Sequence, residues 1–150
     1  MRRASLLTGA ALAGAGLAAA LGACDANPYV QGKAIYESKC ANCHQPDGTG
    51  LVGNIPPLAG ADWLVGHRDE LMCVIRYGMR GSVEVHGLRY EGVMQGFPEL
   101  SPTEAVNVAN YVLAAWGNDL PPLPGSAARE LIDTCGERET IAVGNPQPLR

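Results

Sequence analysis

Large rings are scarce in this 150-residue chain, which carries one Phe, two Trp and five Tyr. Aromatics supply much of the bulk of most cores, and a domain this poor in them often fills its centre with something else. Basic residues are also short, with 11 Lys+Arg against 15 Asp+Glu and a net charge of -4. No basic stripe or cluster appears, which excludes nucleic-acid binding. Five cysteines are too few for a disulfide-dense scaffold. The length leaves room for one domain and little more. Against these shortages, 47% of the residues are apolar. That is enough for a core, and it excludes wholesale disorder.

The first segment reads as an address. Residues 1–23 open Met-Arg-Arg, run uncharged from Ala4 to Ala23 and end small, the parts of a bacterial export signal. Leu21-Gly22-Ala23-Cys24 resembles a lipobox, so Cys24 is expected to become the first mature residue and to carry a lipid. Plain secretion and an uncleaved anchor are the alternatives, since a span needs about 20 apolar residues. The expected location is the periplasm, on a bacterial membrane through the lipid. Without Arg2 and Arg3 the chain keeps 9 basic against 15 acidic residues, a formal charge of -6.

Cys40-Ala41-Asn42-Cys43-His44 is a Cys-x-x-Cys-His motif, the attachment signature of c-type haem. Two thiols three positions apart on one helical turn can each form a thioether to a haem vinyl group. The His that follows turns a ring nitrogen to the iron as its proximal ligand. A thioredoxin-like dithiol would need a βαβ pattern around the cysteines, which is absent. A structural zinc site would need two more paired ligands, whereas the remaining ones stand singly.

From about Pro28 to Gly117 the sequence resembles the class I cytochromes c, small monohaem electron carriers. Asn27-Pro28 can start a helix, and Gly32 and Tyr36 then share one face. Asn54-Ile55-Pro56-Pro57-Leu58 resembles the family's loop beside the proximal His. The resemblance implies that the Pro56 carbonyl accepts a hydrogen bond from His44, orienting the ring, and that Leu58 forms haem wall. Asp69 to Tyr77 has helical spacing closed by Gly78, and Ser82 to Tyr90 reads as a small hairpin turning at His86-Gly87. Gly92-Val93-Met94-Gln95-Gly96-Phe97-Pro98 resembles the family's Met loop, which makes Met94 the second axial ligand, although Gln95 stands where Pro is more usual. Met72, Met79, His67 and His86 are the other candidates for that position: Met72 is expected to pack, Met79 to sit in an arginine-flanked turn as the lesser candidate ligand, and His67 and His86 to face solvent.

Ser101-Pro102-Thr103-Glu104 opens the clearest helix with a capping box, and Ala105, Val108, Ala109, Val112 and Trp116 recur along it until Gly117. Val108 and Tyr111 match the family positions that cross the first helix. The implied fold is all-α: three main helices around one covalently bound haem c, with a small hairpin and a C-terminal extension. Its expected limits are a signal peptide at 1–23, a cytochrome domain at 24–117, and a Pro-rich linker and extension at 118–150. A short helix is expected from Ser126 to Thr134, and Cys73 and Cys135 are open to forming a disulfide that pins the extension.

The implied function is periplasmic electron transfer, as a carrier or as the non-catalytic cytochrome subunit of a redox complex. Its partners would be dehydrogenases, reductases or oxidases. An open-site haem, acting as a peroxidase-like enzyme or gas sensor, is the competing reading.

Overall fold

The structure is a computed structural model and describes residues 28–136. The expected signal segment and Cys24 lie outside them. Helix α1, Val30–Ile35, runs through a five-residue π-helical turn, Tyr36–Cys40, into α2, Ala41–His44. Such π-turns concentrate at functional sites, and this one ends on the first cysteine of the Cys-x-x-Cys-His motif. A loop leads to α3, Asp62–Gly66, and α4, Leu71–Tyr77. Strands β1, Gly78–Val85, and β2, Leu88–Gln95, form an antiparallel hairpin, followed by α5, Pro102–Ala114.

Helix α5 begins where its capping chemistry dictates. The Ser101 hydroxyl accepts from the Glu104 amide at 3.3 Å, and the Glu104 carboxylate accepts from the Ser101 amide at 2.8 Å. Pro102 adds a preset φ in the first turn. The helix buries Ala105, Val108, Ala109 and Val112, and crosses α1 at Gly32. A Cβ on Gly32 would stand 2.0 Å from the Asn107 carbonyl oxygen and 2.8 Å from Tyr111 Cβ. Only glycine admits this approach, which brings the Tyr36 and Tyr111 rings to 5.4 Å.

The hairpin departs from the all-α expectation. The described residues are about half helical, and the hairpin spans eight residues on each strand where a smaller one was expected. Met79 therefore lies in β1 and Met94 in β2, rather than in a turn and a loop. Glycines at 78, 81 and 92 dilute the strand signal in sequence. His86 and Gly87 make the two-residue connection with φ of 53° and 70°, matching a primed turn. The exposed His86 tip is tied down: its ring Nε2–H donates to the Gly60 carbonyl at 2.7 Å, and its amide to the Asp62 carboxylate at 2.9 Å.

Trp116 also departs from its expected place on α5. The helix stops at Ala114, and Trp116 adopts a left-handed φ of 53°. The reversal folds its ring back onto Tyr36, 4.9 Å away, and against Gly48, where no side chain would fit.

Residues 118–136 pack onto the helices. Asn118 Nδ2 donates to the Val112 carbonyl at 2.7 Å and the Leu58 carbonyl at 2.9 Å. Helix α6, Ala128–Asp133, flanked by 3-10 turns, contacts α4 and α5 and buries Ala128 and Ile132. Cys73 and Cys135 are disulfide-bonded, with 5.4 Å between their Cα atoms. Among the described residues, no helix is long and apolar enough to cross a membrane.

Candidate haem site

The elements enclose a cavity of about 650 Å³ with a predominantly apolar lining. That volume falls within the range of sites for cofactor-sized ligands. Cys40, Cys43 and His44 line it from the π-turn and α2, Pro56 and Leu58 from the following loop, and Met94 from the hairpin. Tyr36 steadies the motif: its hydroxyl donates to the Gln45 carbonyl at 2.6 Å, where the chain turns sharply after His44. Burial foremost, then the charges of Cys40, Tyr111 and Asp47, holds that phenol far above its usual pKa.

His44 is buried, and its Nδ1 lies 3.1 Å from the Pro56 carbonyl oxygen. A carbonyl can only accept, so Nδ1 carries the proton and Nε2 keeps its lone pair. Burial pulls the imidazole pKa below its usual value, opposed by the Pro56 hydrogen bond. The ring is thus held in the neutral form that ligates metals. Cys40 and Cys43 are both free thiols. Burial first, then its neighbour Cys43, pushes the Cys40 thiol up to about 11.

The hairpin supplies the opposite kind of surface. Directly paired residues on one face are Met79 with Met94, Gly81 with Gly92, and Val83 with Tyr90, and all six line the cavity. The glycine pair leaves this face without side chains at its middle, so a flat group can approach the backbone. A flat macrocycle with two vinyl groups and an iron fits this donor set: two thiols, a neutral imidazole and thioethers around an apolar cleft. His67 and His86 stand away from the cavity. His67 donates its Nδ1–H to the Trp63 carbonyl at 2.8 Å and stacks on the Trp63 ring at 4.5 Å. Met72 is fully buried in the core.

Sequence reading offered Met79 as a lesser candidate for the sixth position but set it in a turn, and missed the cavity role of Gly81 and Gly92. The signal for β1 was the period-two alternation Met79, Gly81, Val83, Val85, which begins four residues before the part that is conspicuously β-branched.

Motif, cavity and fold define a c-type cytochrome. The chain belongs to the cytochrome c family, whose profile matches residues 29–116. It is similar to cytochrome c-552 of Thermus thermophilus, with 44% identity over 91 residues covering 58% of this chain and 69% of that protein. It also resembles the FixP subunit of the cbb3-type cytochrome c oxidase of Bradyrhizobium diazoefficiens, at 37% identity over 58% of this chain and 30% of the subunit. A third relative is the cytochrome c subunit of a quinone alcohol dehydrogenase from Gluconobacter oxydans, at 32% identity over 76% of this chain and 24% of that subunit. The match thus takes in most of the Thermus protein but less than a third of either complex subunit. Haem, iron and electron transport come with the family.

Proposed function

We propose that this protein transfers single electrons through one haem c, as a periplasmic carrier or as the cytochrome component of a redox complex. The haem would be held by thioethers to Cys40 and Cys43, with His44 and Met94 as axial ligands. The observation that carries the reading is the shared cavity. One wall presents both thiols and an imidazole with Nε2 free, and the hairpin presents a thioether. Bound there, haem supplies an iron that cycles between the ferric and ferrous states.

The residues of the chain set the conditions for that cycle. The Pro56 carbonyl orients His44 and raises the basicity of its free nitrogen. Leu58, with the apolar faces of α4 and α5, excludes water, which limits reorganisation on electron transfer. A thioether from Met94 favours the ferrous state and so a higher potential than a second imidazole would give. Held by His44 and Met94, the iron would have both axial positions filled and would offer none to a substrate.

The lipobox-like Leu21-Gly22-Ala23-Cys24 supports export and lipid anchoring at Cys24. The subunit relatives support a dehydrogenase or oxidase partner. The test is the visible spectrum of the purified holoprotein, with and without CO. A weak far-red charge-transfer band when oxidised, and no CO response when reduced, is expected. Absence of the band with rapid CO binding would replace electron transfer by an open-site enzyme or sensor.

A further inference from the structure

Met94 is not the only thioether at the cavity. Met79 pairs directly with it across the hairpin, and the two flank the same end of the cavity face. Directly opposed residues on antiparallel strands hold their Cβ atoms about 4.5–5.5 Å apart on one face of the sheet. A methionine side chain has three rotatable bonds and spans a comparable distance. Both residues are half-buried and packed against the same core, and beside them Gly81 and Gly92 put nothing in the way.

Resting on the Met94 assignment, we propose that Met79 is a standby ligand, able to take the iron's sixth position when the Met94 thioether is lost. The exchange breaks one iron–sulfur bond and forms another, with no change in electron count. A peroxide that transfers one oxygen atom to the Met94 sulfur, and is itself reduced to water, would convert the thioether to a polar sulfoxide. Met79 then keeps the sixth position closed, and the protein continues to carry electrons without becoming a ligand-binding haem.

The experiment compares the holoprotein with Met94→Leu, Met79→Leu and the double variant; each exchange nearly conserves volume, so folding is preserved. The readouts are the far-red band of the ferric form and the rate of CO binding to the ferrous form. Met79→Leu should keep the band. Met94→Leu should retain a far-red band and bind CO at least about tenfold more slowly than the double variant, because Met79 occupies the site most of the time. The double variant should lose the band and bind CO freely. If Met94→Leu loses the band and binds CO as fast as the double variant, the standby role is overturned and Met94 stands as the sole ligand. If Met79→Leu alone loses the band, Met79 is instead the resident ligand or the support of Met94, and the proposal is overturned. Persistence of the band in the double variant would overturn both assignments.

Discussion

Asn110 and Leu123 hold each other through both amide groups. The Asn110 side-chain nitrogen donates to the Leu123 carbonyl at 3.0 Å, and the Leu123 amide donates to the Asn110 oxygen at 2.7 Å. Asn110 lies on α5, and Leu123 lies in the proline-rich stretch that follows the cytochrome helices, buried to 2% exposure. The side chain mimics a strand partner for a backbone that has none. Asn110→Leu should strand the Leu123 amide and carbonyl and cost about 1–3 kcal/mol. Denaturant unfolding of the holoprotein measures this, and an unchanged midpoint would show that the pair carries no stability.

The Cys73–Cys135 bond ties the 3-10 turn after α6 to α4 across 62 residues of sequence. Closing a loop of that length restricts the unfolded chain by about 4 kcal/mol in the chain-entropy account. The double change Cys73→Ala with Cys135→Ala should therefore lower unfolding free energy by a few kcal/mol. The haem spectrum should stay the same, since neither residue lines the cavity. A spectral change would mean that the bridge shapes the site as well.

Gly32→Ala should be more harmful than a methyl group suggests. The new Cβ meets backbone, the Asn107 carbonyl at 2.0 Å, and backbone cannot rotate aside. Forcing α1 from α5 should cost about 1–3 kcal/mol or more, and should disturb the Tyr36–Tyr111 contact. Thermal unfolding followed through the haem band reads the loss; a wild-type midpoint would refute the close crossing.

Pro56→Ala should leave the haem ligation intact. The group that orients His44 is the Pro56 carbonyl, which any residue supplies. The expected loss is about 0.4–1 kcal/mol, from the looser unfolded chain. A large shift in potential with little loss of stability would show that the ring itself, rather than the carbonyl, sets the His44 geometry.

Acid should loosen the hairpin tip before the body. The Asp62 carboxylate accepts from the His86 amide foremost, and from the Trp63 amide, and these hold its pKa below the usual carboxylate value. A depressed carboxylate stabilises the fold above its unfolded pKa, near 4, and that stability fades as pH falls through the lower folded value. Hydrogen exchange at the His86 amide, referenced to β1 amides, should lose protection as pH falls below about 4. In Asp62→Ala the protection should be low at every pH.

Much of the chemistry was legible in the sequence because it is local. The Cys-x-x-Cys-His spacing places two thiols and an imidazole on one helical turn wherever that turn stands. The capping box at Ser101 and the positive-φ turn at His86–Gly87 need only their neighbours. The hairpin's full extent was hidden, because Gly78 and Gly81 keep their ladder partners at positive φ, 77° and 100°, and such pairing shows in no single segment. Trp116 fits the helical period of α5, yet contacts with Tyr36 and Gly48 draw it into a left-handed turn.

By itself, the sequence determined the cofactor class, the start of α5 and the turn chemistry, since each depends on residues within a few positions; α1 instead begins at Val30, after the Pro28 expected to open it. Only the tertiary structure decided that Met79 faces the cavity beside Met94, that glycines clear its hairpin wall, and that the extension is sewn to α4 and α5. Those outcomes depend on which distant surfaces meet, and burial and hydrogen-bond pairing between segments settle that only when the chain closes on itself.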